Sequence, residues 1–160
     1  MSRTMSRLFR LASLSILLAL AAPAMAAQRE VPYWASIRVD EVNMRVGPGE
    51  SYRILWVYRR ENLPVKVLRL KEGWRLIEDP DGARGWMLGR FLSLKRSVIV
   101  NGSGLADMRE KAAPSSRLLW RLEPGVVGVL GDCEAGWCSL DVGGREGFVR
   151  QDRIWGAGEP

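Results

Sequence analysis

From residue 35 to residue 155 short apolar runs, several of them alternating with polar residues, are broken by turn signals, and no stretch sustains a helical period, so the chain reads as a succession of short strands. Val42, Met44 and Val46 alternate with Asn43 and Arg45 and run into Gly47-Pro48-Gly49, the pattern of a half-buried strand that ends in an open turn. Gly47 and Gly49 can take positive φ there, and Pro48 fixes its own φ while lacking a donor, so the strand is expected to stop and a long loop to open. Ala35 to Arg45 predicts a first strand or pair of strands. Arg53 to Tyr58 predicts a second, with Ile54, Trp56 and Tyr58 on one face. Leu63 to Leu70, Trp74 to Ile77 and Arg84 to Leu88 follow as third, fourth and fifth, and Gly89 to Leu92 reads as a short helical turn. Asp79-Pro80-Asp81-Gly82 is a turn by composition, because Pro presets one turn dihedral and Asp-Gly supplies the rest.

The same order then repeats. Sixty-four positions on from Asn43-Met44-Arg45 stands Asp107-Met108-Arg109, Gly73-Trp74 is answered by Gly136-Trp137, and Gly85-Trp86-Met87 by Gly147-Phe148-Val149. Such self-similarity outranks any single motif and predicts two units, over residues 35–94 and 97–156. In the second unit Lys111-Ala112-Ala113 occupies the places of Gly47, Pro48 and Gly49, and is expected to make that backbone turn less readily. One residue dropped near Glu123 brings Gly125 opposite Asn62. Asn and Gly are the residues that most readily adopt the left-handed region, so a positive φ is expected at both.

The combination N-x-R-x-G-P-G, an apolar strand and two G-W steps resembles the bacterial Src-homology-3-like domain, closely over Ile37 to Leu92 and loosely over Val98 to Trp155. The layout is similar to a family of exported bacterial proteins carrying two such domains in tandem. The resemblance implies an all-β fold of two small five-stranded barrels. It also implies a groove beside the Gly-Pro-Gly loop where extended peptides dock. Arg45, Tyr52, Arg53 and Tyr58 surround that loop and Trp74 extends it, a mixture of rings and cations suited to a peptide or glycan.

The first ten residues carry Arg3, Arg7 and Arg10 with no acid, Leu11 to Ala22 is almost unbroken apolar sequence, and Ala24-Met25-Ala26 follows. Residues 1–26 therefore read as a cleaved secretory signal peptide. The apolar run falls short of the roughly twenty residues that span a bilayer, so no permanent membrane anchor is expected. No cysteine follows the cleavage site for lipid attachment. The leader holds three of the 24 basic residues and none of the 18 acids, so the net charge falls from +6 to about +3 on its removal. No Lys/Arg-rich block survives, and nucleic acid is not an expected partner.

Cys133 and Cys138 are the only cysteines, flank a predicted hairpin tip and are expected to be bridged after export to a periplasmic or extracellular setting. Leu70 and Arg75 hold their places in the first unit. With no histidine in the chain, two thiols leave too few soft ligands for a metal, and no cofactor is expected. Most of the seven tryptophans are expected in cores or at the interface between units, Trp56 and Trp120 fitting packing between the barrels. Trp74 and Trp137 are expected to point outward, because Ile77 and Leu140 take the inward positions. No carboxylate pair sits in a recognisable catalytic motif, and a chain ending at Pro160 is expected to hold no catalytic domain. A non-catalytic binder remains, and the resemblance implies peptidoglycan, stem peptide or glycan, as its ligand. The alternative is a scaffold that grips an envelope protein or a second copy. The loss of Gly-Pro-Gly in the second unit points to the first as the binding barrel and the second as its brace.

Overall fold

The computed structural model describes residues 29–160, and the signal-peptide reading of residues 1–26 lies outside the described residues. Strands β1 (Tyr33–Ile37), β2 (Val42–Arg45), β3 (Ile54–Tyr58), β4 (Pro64–Lys71), β5 (Trp74–Glu78), β6 (Arg84–Leu88) and β7 (Leu92–Ser93) form one antiparallel sheet in the order β3-β2-β6-β5-β4-β1-β7. Strands β8 (Ser97–Val100), β9 (Ala106–Arg109), β10 (Leu118–Leu122), β11 (Val127–Glu134), β12 (Trp137–Val142), β13 (Arg145–Arg150) and β14 (Ile154–Trp155) repeat that order. Each sheet has seven strands rather than five. The break at Arg38 to Glu41 separates β1 from β2, and the two-residue β7 and β14 return to pair with β1 and β8.

Each sheet wraps its own apolar core. Ile37, Val65, Val67, Ile77 and Met87 are fully buried in the first, and Val98, Ala106, Met108, Leu140 and Val149 occupy the second. The cores meet through Ile99 and Val127, which pack on the first. Trp34 stacks edge-to-face on Trp155 with ring centroids 4.7 Å apart, and its indole N–H donates to the carbonyl of Gly158 at 3.1 Å. Ser36 donates through its hydroxyl to the carbonyl of Lys95 at 2.8 Å. A side chain at Gly156 would meet Pro64 of the other barrel and the carbonyl of Ser97, so the close approach requires glycine. Trp34 and Trp155 thus join the barrels. Trp56 and Trp120, whose recurrence fits packing there and an outward role equally well, are exposed on β3 and β10.

Asn62 and Gly125 have φ of 60° and 88°. Their N–H groups donate to the carbonyls of Ile37 (2.7 Å) and Val100 (2.8 Å), so each left-handed residue ties a loop to the first strand of its barrel. The Cys133–Cys138 disulfide closes the β11–β12 hairpin, across the register that Leu70 and Arg75 share in the first barrel. Ala135 and Gly136 make the turn inside it with φ of 49° and 79°.

The left-handed backbone at Asn62 generates a stability prediction. Asn62→Gly is expected to be tolerated, whereas Asn62→Val should cost about 1 kcal/mol or more, because a β-branched residue is strained at positive φ. Urea unfolding of the two variants checks it, and equal midpoints would contradict the φ.

Candidate ligand grooves

The loop between β2 and β3 is held by one side chain. The guanidinium of Arg45, at the end of β2, donates to the carbonyl of Tyr52 at 2.7 Å, and the N–H of Val46 donates to the carbonyl of Arg53 at 3.0 Å. Within the loop the N–H of Gly49 donates to the carbonyl of Gly47 (3.0 Å) and that of Tyr52 to Gly49 (3.3 Å). Barrel two repeats every one of these bonds. Arg109 donates to the carbonyl of Ser116 at 2.7 Å, Glu110 to Arg117 at 3.0 Å, Ala113 to Lys111 at 2.8 Å and Ser116 to Ala113 at 3.1 Å.

The expectation that Lys111-Ala112-Ala113 would make this turn less readily is therefore corrected, because both loops close on the same bonds, and so is its premise. Neither Gly47 nor Gly49 adopts positive φ. A Cβ at Gly47 would instead overlap the ring of Tyr52, and one at Gly49 would lie 3.1 Å from it. Where Tyr52 is replaced by Ser116, the loop has room for Lys111 and Ala113. The glycines accommodate an aromatic ring, not a backbone turn.

Beside each loop lies a groove. In barrel one a cavity of about 230 Å³ is lined by Arg45 and Asn43 from β2, Glu50 from the loop, Trp74, and Arg90 and Phe91 from the single helical turn Gly89–Phe91. In barrel two a cavity of about 450 Å³ is lined at the matching places by Arg109, Asp107, Pro114, Trp137, Asp152 and Arg153. The arginine and the tryptophan persist while the rest changes. Arg109 pairs with Asp107 at 2.6 Å, Arg150 with Asp152 at 3.1 Å, and the Arg150 guanidinium lies 5.7 Å from the centre of the Trp137 ring. Hydrogen bonding from Arg150 holds the Asp152 carboxyl below its ordinary range. In groove one the Arg90 guanidinium stands 4.9 Å from the Phe91 ring centre.

The five residues named from the sequence do not form one site. Arg45 and Trp74 line groove one. Trp74 is buried at 9% exposure and Trp137 at 6%, so each ring lines its groove rather than projecting outward as expected. Tyr52 is half exposed and lies on the loop over Gly47 and Gly49. Arg53 closes the loop through its carbonyl. Its counterpart Arg117 is tied to Glu110 at 2.9 Å, a bond that lowers the carboxyl's pKa, whereas Val46 faces Arg53 and offers no charge. Tyr58 is 6% exposed and presents no ring face. Its O–H donates to Asp79 Oδ2 at 2.7 Å, and Asp79 Oδ1 accepts the N–H groups of Asp81 and Ala83, shaping the β5–β6 turn. This pair floors a second cavity, of about 700 Å³, walled by Leu55, Trp56, Pro80 and Ile99. Leu122 and Val142 stand at its places in barrel two. Glu50, Arg90 and Phe91 escaped the sequence reading; of the three only Arg90 has an acidic counterpart, Asp152, that the repeat could have brought to notice.

Two like barrels with a loop-flanked groove apiece define a tandem Src-homology-3-type protein. The chain belongs to the bacterial SH3 domain family, whose profile matches residues 38–93 and 102–156. Domains of this family are often cell-wall binding modules. The chain is 26% identical over 135 residues to "Putative N-acetylmuramoyl-L-alanine amidase YrvJ" of Bacillus subtilis (strain 168), covering 78% of this chain and 26% of that protein. It thus spans about a quarter of that relative's length. Among solved structures it is similar to NlpC2 of Trichomonas vaginalis, at 10% identity and TM-score 0.36 over 80% of this chain and 49% of the other. NlpC1 of the same organism gives 13% identity and TM-score 0.36 over 89% and 50%.

The buried pair yields a pH prediction. Burial, and then the hydrogen bond to the Asp79 carboxylate, push the Tyr58 phenol above its ordinary range. A raised folded pKa means the pair's stabilisation is fully present below the unfolded value near about pH 10 and is lost as pH rises beyond it. Tyr58→Phe should cost about 1–2 kcal/mol at pH 8 by leaving Asp79 Oδ2 without its donor. The gap between wild type and variant should narrow at pH 11, as read by urea unfolding; a gap that widened would contradict the assignment.

Proposed function

We propose that this chain is an exported, non-catalytic binder of cell-wall peptidoglycan, holding stem peptides in the grooves beside its two loops. The observation that carries the reading is the recurrence of both grooves. Arg45 and Trp74 in one and Arg109 and Trp137 in the other keep the same cation and the same ring at matching positions while the intervening loop sequence diverges. Membership of a family rich in cell-wall modules, and a relative named for an amidase of the wall, support the same ligand class.

The chemistry suits a stem peptide, which carries carboxylates and an amine on a short extended backbone. Groove one offers Arg45 and Arg90 against Glu41 and Glu50; groove two offers Arg109, Arg150 and Arg153 against Asp107 and Asp152. Guanidinium forks pair with carboxylates, and the acids receive the amine. The Arg-rich start and the Ala24-Met25-Ala26 site support delivery to the periplasm or beyond. The chain has no histidine and its two cysteines are bridged, so recognition rather than catalysis is the use its side chains serve. Both barrels bind in this reading. Two grooves on one chain raise retention on a polymeric wall above that of either alone.

Co-sedimentation with purified sacculi tests it. The protein should pellet with the wall, and Arg90→Ala or Arg150→Ala should each weaken retention by about 1 kcal/mol with unchanged unfolding midpoints. The double variant should lose more than either, because avidity goes with the second groove. Failure to pellet, or a double variant that pellets like wild type, would refute the assignment.

A further inference from the structure

Strand β3 is the outermost strand of the first sheet and is bonded to β2 on one side only. Its residues, Ile54-Leu55-Trp56-Val57-Tyr58, contain neither charge nor proline, and the first three are exposed. Proteins ordinarily suppress such an edge with charges, proline or covering side chains, because its unpaired N–H and C=O groups template the addition of another strand.

Strand β10 holds the same place in barrel two and shows suppression at work. Arg121 interrupts its apolar run and lies 3.8 Å from Asp107, and the Arg145 guanidinium covers the Trp120 ring 4.9 Å from its centre. Barrel one has Val57 in place of Arg121 and Ala83 in place of Arg145. Trp56 accordingly keeps 61% of its surface exposed, against 47% for Trp120. The open edge borders the cavity of about 700 Å³, whose walls include Trp56, Leu55, Pro80 and Ile99 and whose floor is the Tyr58–Asp79 pair found in this barrel alone. That cavity shares no lining residue with the groove of Arg45 and Trp74.

Charge selects the occupant. Arg53 precedes the strand and Arg59 and Arg60 follow it; Arg59 shares Glu41 at 2.8 Å, and Arg53 and Arg60 carry no salt bridge among the described residues. A second copy pairing antiparallel about Trp56 would set Arg53 opposite Arg59 at both ends of the ladder, and like charges placed so are destabilising. A segment with acidic ends has the opposite effect in either direction of pairing. We infer that the free edge of β3 accepts an extended segment of a partner protein as an added strand, with apolar side chains at alternate positions in the cavity beside Trp56 and acidic residues at its two ends. Main-chain bonds to β3 supply the affinity and the cavity supplies the selectivity, the division of labour of strand addition generally.

The test uses a capped heptapeptide, Asp-Val-Thr-Val-Thr-Val-Asp, and a twin with lysine at both ends, titrated into the ¹⁵N-labelled protein. The acidic peptide should shift the amides of β2, β3 and Ile99 and slow hydrogen exchange at the β3 amides that face away from β2. The lysine twin should bind at least about tenfold more weakly. Ala83→Arg, which copies the cover that Arg145 gives Trp120 without touching the strand, should lower the acidic peptide's affinity. Trp56→Lys should abolish it, with the rest of the spectrum unchanged. Any of four outcomes overturns the inference: no shift at millimolar peptide, shifts confined to the groove of Arg45 and Trp74, equal binding of the two peptides, or a dimer without peptide that Trp56→Lys dissolves. An oligomer of N-acetylglucosamine that shifts the β3 resonances where the acidic peptide does not would likewise overturn it.

Discussion

A single guanidinium-to-carbonyl hydrogen bond organises each barrel's functional face. Arg45 reaches Tyr52 and Arg109 reaches Ser116, both over 2.7 Å, from the last residue of β2 and of β9. The bond does two things at once. It adds a side-chain tie to a loop that backbone bonds such as Val46 to Arg53 also close, and it parks the cation against the groove that the loop walls. A charged donor makes such a bond stronger than a neutral one, which suits a surface loop that no core residue holds in place. The grooves, and any ligand they hold, rest on it.

Around that shared frame the two barrels diverge in what reinforces them and in what they expose. Barrel two is reinforced. Its hairpin tip is stapled by Cys133–Cys138, its loop is tied by Glu110 and Arg117, and its edge strand is covered by Arg145. Barrel one spends its differences on exposed surface: a ring on the loop at Tyr52, an open Trp56, and a buried Tyr58–Asp79 pair that shapes a turn beside a wide cavity. Trp34 and Trp155 fasten the two together, so both grooves belong to one body.

Much of the fold was legible because it rests on local rules. Alternation located the strands, the 64-residue offset located the second unit, and the pairing of Asn62 with Gly125 located a left-handed residue that the backbone has in both barrels. The site was less legible, for a physical reason. The outer side of these strands is covered by the returning helical turn, whose residues Arg90, Phe91, Asp152 and Arg153 line the same grooves, so Trp74 and Trp137 lie buried although Ile77 and Leu140 face the core. Tyr58 sits at the end of a strand that leaves the core, and Ile54 and Trp56 go outward while it goes in. At Gly47 and Gly49 the sequence suggests backbone freedom, because glycine usually signals it. Their actual constraint, the ring of Tyr52, is a tertiary contact that spacing alone does not reveal.

The claim that the arginine holds the loop and the glycines merely house Tyr52 is tested most directly by a double-mutant cycle on Gly47 and Tyr52. Gly47→Ala alone should destabilise the protein by about 1–2 kcal/mol, because the new methyl group displaces the ring. In a Tyr52→Ser background, which copies Ser116 of the second barrel, the same substitution should be near neutral, for a coupling of about 1 kcal/mol or more. An equal cost for Gly47→Ala in both backgrounds would mean that the glycine serves the backbone after all, and would contradict the account.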